Sequence, residues 1–266
     1  MHANNDNPVL NNPYEEPKYY YDTDADGNID YEKVINGRRP FGYDISIVPK
    51  KRQRNVFSVE DFETVEPNAE FINTIRKEVK VWREAGYPKA SRITSELLNF
   101  WFNNPERRYN LRLFFCQREA VETAVWLNEI AERDPNVGNY ILNQLLERRH
   151  TVSPDDANVL PRTAFKMATG TGKTVVMAML ILYNYLNKRA NPMDTHYADH
   201  FLLCAPGITI RDRLGVLQLD YNPRSSNFER TDYYHQRGLI PPQFENELGS
   251  LNSSITIINY SSFASS

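Results

Sequence analysis

A seven-residue run, Ala168-Thr-Gly-Thr-Gly-Lys-Thr174, constrains the fold of this chain more than any other feature. It follows the short apolar segment 163–167 and precedes a second apolar segment at 175–182. Strand, glycine-containing turn and helix is the order in which a loop of this kind holds phosphate groups. The glycines let the backbone approach the phosphates, and the start of the helix favours negative charge. The sequence therefore predicts a strand at 163–167, a phosphate-binding loop, and a helix over 174–188.

The polar residues of this loop have distinct predicted roles. Lys173 supplies a positive charge to the β- and γ-phosphates, and the Thr174 hydroxyl can bind Mg²⁺. We therefore expect ATP and Mg²⁺ as cofactors. The residues predicted to bind them in the loop are Thr169, Gly170, Thr171, Gly172, Lys173 and Thr174. The general pattern would place a glycine at position 167, where this chain has Met167, which changes the subclass of the loop but not its chemistry.

Short apolar runs alternate with helical segments in the second half of the chain. Runs at 201–205 and 255–259 predict strands, and a helix is expected between them at 209–217. Strand, helix and strand in this order predict a parallel sheet with crossover helices. Earlier in the chain, apolar periodicity and turn signals predict four helices and one hairpin. The helices are expected at 68–85, 92–102, 111–132 and 139–149, and the hairpin at 18–22 and 28–34 around Asp26-Gly27.

The composition and the charge balance limit the classes of protein to which this chain can belong. The chain has 31 basic and 34 acidic residues, so a contact with nucleic acid has to be local. Cys116 and Cys204 each end an apolar run, and their spacing forms no disulfide framework, which fits a reducing compartment. The longest apolar stretch, 175–186, is too short to span a bilayer. We expect a soluble, cytoplasmic protein with no membrane partner.

The loop and three further segments resemble one family. Met167-Ala-Thr-Gly-Thr-Gly-Lys-Thr174 resembles motif I of superfamily-two helicases, most closely the branch that contains the Res subunits of type III restriction enzymes. Phe114-Phe-Cys-Gln117 opens a predicted helix and is similar to the glutamine motif of the family, in which the glutamine reads the adenine edge. The resemblance thus implies that Gln117 selects ATP.

The other two segments follow the predicted strands. Leu203-Cys-Ala-Pro-Gly207 and the residues after it resemble motif Ia, whose loop and helix hold the nucleic-acid backbone. Ile255-Thr-Ile-Ile-Asn259-Tyr260-Ser-Ser-Phe263 is similar to an Asn-Tyr-His-x-Phe segment, with Ser261 in place of the histidine. The resemblance therefore implies Thr209, Arg211 and Asn259 as candidate contacts to the DNA backbone, although Arg211 and Arg213 are equally readable as surface charges.

The resemblance implies an α/β fold with a partial RecA-like P-loop domain and a parallel sheet. A mainly helical accessory region with an N-terminal hairpin precedes this domain. The expected division is 1–66 for an extension with the hairpin, 67–110 for the helical accessory region, and 111–266 for the glutamine motif and an incomplete first RecA-like domain. The expected partners are the backbone of double-stranded DNA and a methyltransferase or specificity subunit.

The sequence leaves the activity of the chain itself open. A motor ATPase of this class needs an apolar strand that ends in Asp-Glu, and no Asp-Glu dipeptide occurs in these 266 residues. The nearest pair is Asp155-Asp156, which lies in a polar segment with no strand before it. We expect the ATP-binding N-terminal portion of an ATP-dependent DNA helicase or translocase of a restriction system, with any endonuclease outside this chain.

Two alternatives belong to other classes. One is a non-catalytic nucleotide-binding subunit of a restriction or defence complex, which the missing Asp-Glu favours. The other is a P-loop kinase of a small molecule, which would make no use of Gln117. A kinase would therefore bind ATP and GTP equally, whereas a helicase-like ATPase with a glutamine motif would prefer ATP.

Overall fold

The computed structural model describes residues 9–23, 28–41, 48–49, 62–63, 69–152, 163–219 and 230–260. Contacts divide the chain into two compact units, Met1–Val81 and Trp82–Ser266. The predicted turn at Asp26-Gly27, the pair Asp155-Asp156, Ser261 and Phe263 lie outside the described residues. The predicted division at 66 and 110 stays a prediction.

The described residues of the first unit include two antiparallel strand pairs. β1 (Tyr19–Thr23) pairs with β2 (Ile29–Asn36), and the register shifts between Tyr21 and Asp22. The predicted hairpin is therefore confirmed in its two strands. The second pair is β3 (Val48–Pro49) with β4 (Phe62–Glu63), which the sequence pattern did not predict.

The helix α1 (Ala69–Glu84) starts in the first unit and ends in the second. Its apolar residues recur every three to four positions, which gives the helix one apolar stripe. The buried members of that stripe are Phe71, Ile75, Val79 and Trp82. Gly86 follows with φ +79°, a left-handed conformation that glycine adopts readily after a helix. The helix predicted at 68–85 is confirmed.

Three longer helical segments and a short 3₁₀ turn at Tyr109–Leu111 follow among the described residues of the second unit, and two of the longer segments change their winding partway. Their bounds are α2 (Arg92–Leu98) with a π turn at Asn99–Asn103, α3 (Phe115–Val125) with a π turn at Trp126–Ile130 and a 3₁₀ turn at Ala131–Arg133, and α4 (Val137–Val152). The Ser91 hydroxyl begins α2 by accepting a hydrogen bond of 3.0 Å from the Thr94 N–H. The helices predicted at 92–102 and 139–149 are confirmed. The helix predicted at 111–132 is confirmed from Phe115 onward, while residues 112–114 form no helix.

The long helix α5 (Lys173–Ala190) directly follows the glycine-containing loop and packs against α2 and α3. Ten of its 18 residues are buried. A helix with that much buried surface lies in the core of a domain. The prediction of a helix over 174–188 is confirmed, and the loop is attached to a well-packed element.

A small parallel sheet lies in the second unit. β5 (Phe201–Ala205) pairs with β6 (Ile255–Asn259) from Phe201 opposite Ile255 to Ala205 opposite Asn259. The connection between them contains α6 (Ile208–Arg213), a 3₁₀ turn at Leu214–Leu217, α7 (Tyr233–Gln236), a 3₁₀ segment at Pro242–Leu248 and α8 (Leu251–Ser254). Both predicted strands, their parallel direction and the helical segment after β5 are confirmed.

The strand predicted at 163–167 is wrong. These residues form no regular structure, and Thr163, Ala164 and Lys166 are exposed. A strand exists only when its backbone groups pair with a neighbour. Within the described parts of the chain, β5 and β6 pair with each other and neither pairs with 163–167. The apolar pattern is present at 163–167, but none of the described strands pairs with it.

The molecule thus mixes helices and strands around a small parallel sheet, in agreement with the predicted α/β class. The partial RecA-like arrangement and the separate helical accessory region stay predictions. Among the described helices, none combines the length and the apolar character needed to cross a bilayer.

Candidate nucleotide-binding site

The loop before α5 has a backbone that glycine makes possible. Gly170 and Gly172 have φ of +81° and +80°, which lie in the left-handed region that other residues rarely adopt. A Cβ atom at Gly172 would lie 2.2 Å from Nε2 of Gln117, so a side chain there would displace the Gln117 amide from the loop. The predicted loop residues therefore form a tight turn that ends where the helix begins.

Lys173 is the first residue of α5, and its ammonium group folds back over the loop. Nζ donates hydrogen bonds of 2.9 Å to the carbonyl oxygens of Met167 and Ala168. Thr171 closes the same turn by donating from Oγ1 to the Ala168 carbonyl at 2.7 Å. The loop thus holds a cation at its centre, where a phosphate would replace the two carbonyl oxygens as its partner.

The start of α5 adds a second favourable feature for anions. The first N–H groups of any helix lack partners within the helix, and the helix dipole places partial positive charge there. Gly172 is the N-cap of this 18-residue helix, and Thr174 is its second residue. Lys173, Thr174 and the helix start are therefore brought together, as the sequence predicts.

The donor set fits a nucleotide with its magnesium ion held mainly through the phosphates. Among the described residues, no three His, Cys, Asp or Glu side chains come together as a metal site. The Thr174 hydroxyl, at the second residue of α5, would supply one oxygen to a magnesium ion whose other ligands are phosphate oxygens and water, the oxygen ligands that Mg²⁺ prefers.

Gln117 contacts the loop directly. Its Oε1 accepts a hydrogen bond of 2.9 Å from the Phe114 N–H at the start of α3, and its Nε2 donates to the Thr171 carbonyl at 3.0 Å. The side chain is buried. Gln117 therefore caps its own helix and also joins α3 to the loop, while its predicted contact with adenine stays a prediction.

A buried charge cluster, which the sequence analysis missed, lies one turn further along α3. Glu122 is fully buried and accepts hydrogen bonds from Arg83 Nε at 2.6 Å, Tyr87 OH at 2.6 Å and Arg118 Nε at 2.8 Å. Burial first, and then the Glu122 charge, raises the pKa of Tyr87, so its phenol stays protonated and donates. Arg118 directly follows Gln117, so this Glu122 cluster fixes the turn of α3 that contacts the loop.

The opposite end of α5 is held by a second buried polar group. Asn187 accepts from the Ser91 hydroxyl at 2.6 Å and donates to Thr94 Oγ1 at 3.0 Å. Thr94 in turn donates to Glu129 Oε2 at 2.8 Å, and Tyr183 OH donates to the same atom at 3.3 Å. The helix that carries Lys173 is thus fixed near both of its ends by side-chain hydrogen bonds.

The three candidate nucleic-acid residues lie near the carboxyl ends of the parallel strands. Thr209 and Arg211 are exposed on α6, and Arg211 pairs with Asp212 at 2.8 Å. Asn259 ends β6 opposite Ala205, and its Oδ1 is buried without a hydrogen-bond partner in the part of the chain that the structure describes. In parallel sheets, the carboxyl edge is where ligands usually bind.

A family model described as type III restriction enzyme, res subunit, matches residues 110–266. The matched segment contains α3 with Gln117, the glycine loop, α5 and both parallel strands. No curated protein and no solved structure matches the chain. This family implies a RecA-like fold, a helicase-like ATPase that uses a nucleotide with Mg²⁺, and interaction with DNA. Because the match covers more than half of its residues, the chain belongs to the family of type III restriction enzyme res subunits.

Proposed function

We propose that this chain is the ATP-binding part of an ATP-dependent DNA translocase of a type III restriction system. The observation that carries the proposal is the loop before α5, in which two glycines have positive φ and the Lys173 ammonium group bonds to the carbonyl oxygens of Met167 and Ala168. That combination of backbone shape, cation and helix start is the one that binds the β- and γ-phosphates of a nucleotide.

In this proposal the loop from Thr169 to Thr174 binds the phosphates. Lys173 exchanges the carbonyl oxygens of Met167 and Ala168 for phosphate oxygens, which are stronger partners because they carry charge. The Thr174 hydroxyl takes one position around Mg²⁺, which would neutralise phosphate charge when bound. Gln117, already in contact with Thr171, selects adenine.

The proposed DNA contacts are Thr209, Arg211 and Asn259, which would bind the phosphate backbone. Contacts to phosphates carry no sequence information directly. We therefore propose that a methyltransferase or specificity subunit recognises the DNA sequence, while this chain supplies nucleotide-dependent movement to the complex. We also propose a cytoplasmic location for the chain, because it would meet DNA and the partner subunit there.

This chain alone is expected to bind ATP without hydrolysing it. Water attack on the γ-phosphate needs a carboxylate that positions the water, and the 266 residues contain no Asp-Glu pair. Phosphate release with ATP, Mg²⁺ and duplex DNA should stay at the level of a blank without protein. Steady hydrolysis that disappears in a Lys173→Ala variant would contradict this expectation. If no hydrolysis is seen, the result supports a non-catalytic nucleotide-binding subunit equally well.

Replacing Gln117 by alanine is expected to remove the preference for ATP over GTP. An amide reads the adenine edge by paired hydrogen bonds, and loss of such a pair costs about 1–3 kcal/mol, or roughly five- to 150-fold in affinity. Titration of the wild type and of Gln117→Ala with each nucleotide would measure this preference. Gln243, an exposed amide that donates to Glu96 Oε2 at 3.2 Å, offers the matched Gln243→Ala control.

Equal affinity of the wild type for ATP and GTP would overturn the adenine role and favour the small-molecule kinase. Loss of affinity for both nucleotides in Gln117→Ala, with no change in their ratio, would instead assign Gln117 to the loop contact with Thr171 alone.

A further inference from the structure

The helix α6, which carries two of the proposed DNA contacts, contributes nothing to the core. All six of its residues are exposed, including Ile208 and Ile210. A helix of six residues is not stable by itself in water, since nucleation costs more than so few hydrogen bonds return. Its position must therefore be fixed by the segments at its two ends.

At its start, α6 is attached to β5 through Pro206 and Gly207, and β5 is fixed by its ladder with β6. At its end, α6 continues into the 3₁₀ turn Leu214–Leu217, which packs against α5 and α7. Leu217 is fully buried in that turn. Its carbonyl oxygen accepts a hydrogen bond of 2.7 Å from the hydroxyl of Tyr234, which is also fully buried.

Asn252 fixes the same end of the segment by a pair of hydrogen bonds. Its Nδ2 donates to the Leu219 carbonyl at 2.7 Å, and its Oδ1 accepts from the Leu219 N–H at 2.6 Å. Asn252 belongs to α8, which leads directly into β6. The segment from β5 to Leu219 is thus joined to β6 at its beginning and to the residues just before β6 at its end.

We propose that Tyr234 and Asn252 are positioning residues that hold α6 for binding to the phosphates of duplex DNA. This inference rests on the proposed DNA contacts of Thr209 and Arg211. Arg213, on the same exposed helix, makes no ion pair with any described residue, whereas Arg211 is already paired with Asp212. A fixed α6 holds Thr209 and Arg211 at constant positions beside the carboxyl edge of the sheet, and a loosened α6 does not.

The test is the affinity of the 266-residue chain for a fluorescent 30-base-pair duplex, measured by anisotropy over a series of salt concentrations. Each phosphate contact contributes about 0.9 to the slope of log affinity against log salt. Asn252→Ala is expected to weaken binding roughly tenfold and to reduce that slope by about 1, as loss of one phosphate contact does. Tyr234→Phe, which keeps the ring and removes only the hydrogen bond to Leu217, should act in the same direction.

The matched control is Ser253→Ala, which removes a hydroxyl from the adjacent residue of α8 that bonds only to Ser250 within the described chain. It should leave both affinity and slope unchanged. ATP affinity should also stay unchanged in Asn252→Ala, because Asn252 is exposed and has no contact with the loop. A melting curve for each variant identifies a protein that has simply unfolded.

An Arg211→Ala, Arg213→Ala variant separates the two proposals. If this variant binds DNA as the wild type does, the proposed DNA contact of α6 is wrong. If it weakens binding and lowers the slope while Asn252→Ala and Tyr234→Phe leave both unchanged, the positioning role is wrong and the DNA contact stands. Weaker binding by Asn252→Ala at an unchanged salt slope would also overturn the positioning role, since no phosphate contact would have been lost.

Discussion

A Gly172→Val, Lys173→Ala double variant is expected to lose ATP affinity by at least about 100-fold in calorimetry. Valine cannot adopt the positive φ of Gly172 without strain, and its Cβ would lie 2.2 Å from Gln117 Nε2. Removing Lys173 takes away a charged hydrogen-bond donor, which contributes roughly 1.5–3 kcal/mol. A 100-fold change requires about 2.8 kcal/mol, at about 1.4 kcal/mol per tenfold, so the loss of Lys173 supplies about half to all of it and the distortion of the loop supplies the rest.

Two matched control variants test whether the loss of ATP affinity is specific to Gly172 and Lys173. Gly215→Ala replaces a glycine that has open space around it, and Lys188→Ala removes a cation from the other end of α5. Both controls should bind ATP as the wild type does. Equally weak heat signals from the wild type and the double variant would mean that the loop binds no nucleotide, and the proposed function would then have no support.

The parts of the fold that could be predicted are those whose signal is local. α5, β5 and β6 are continuous apolar segments with clear ends, and each lies within two residues of its expected bounds. The segment 163–167 has the same kind of apolar pattern but depends on a strand from elsewhere in the chain. Periodicity records what a segment can bury, and it contains no information about which partner is present.

The candidate site likewise has parts that the sequence could predict and parts that it could not. The loop residues and Gln117 could be found because each belongs to a short run with a defined chemistry. The contact between Gln117 and Thr171 spans 54 residues, and nothing in either run indicates it. The sequence contains one partial signal of the Glu122 cluster, which is the four-residue spacing of Arg118 and Glu122 on a helix. The other two members, Arg83 and Tyr87, come from an earlier segment of the chain, and no local pattern links them to Glu122.

Replacing Glu122 by alanine is expected to destabilise the second unit by about 3–5 kcal/mol. The carboxylate is fully buried, and its removal leaves Arg83, whose side chain is 10% exposed, and Arg118 without their common counter-charge. Both guanidinium groups lie over aromatic rings, those of Phe115 and Phe102, where water cannot easily replace the lost oxygens. In a protein of this size such a loss lowers the melting temperature by roughly 6–20 °C.

The matched control for this prediction is Glu132→Ala, in the 3₁₀ turn Ala131–Arg133 that follows α3 and its π turn. Glu132 is 61% exposed and, among the described residues, forms an ion pair only with His196, so its loss should cost less than about 1 kcal/mol. Equal melting temperatures for the two variants would mean that the Glu122 cluster is not closed to water. A large difference between the two melting temperatures would support a firmly held turn of α3 next to Gln117. A firmly held turn allows the Gln117 amide to keep its hydrogen bond to the Thr171 carbonyl while the loop binds a nucleotide.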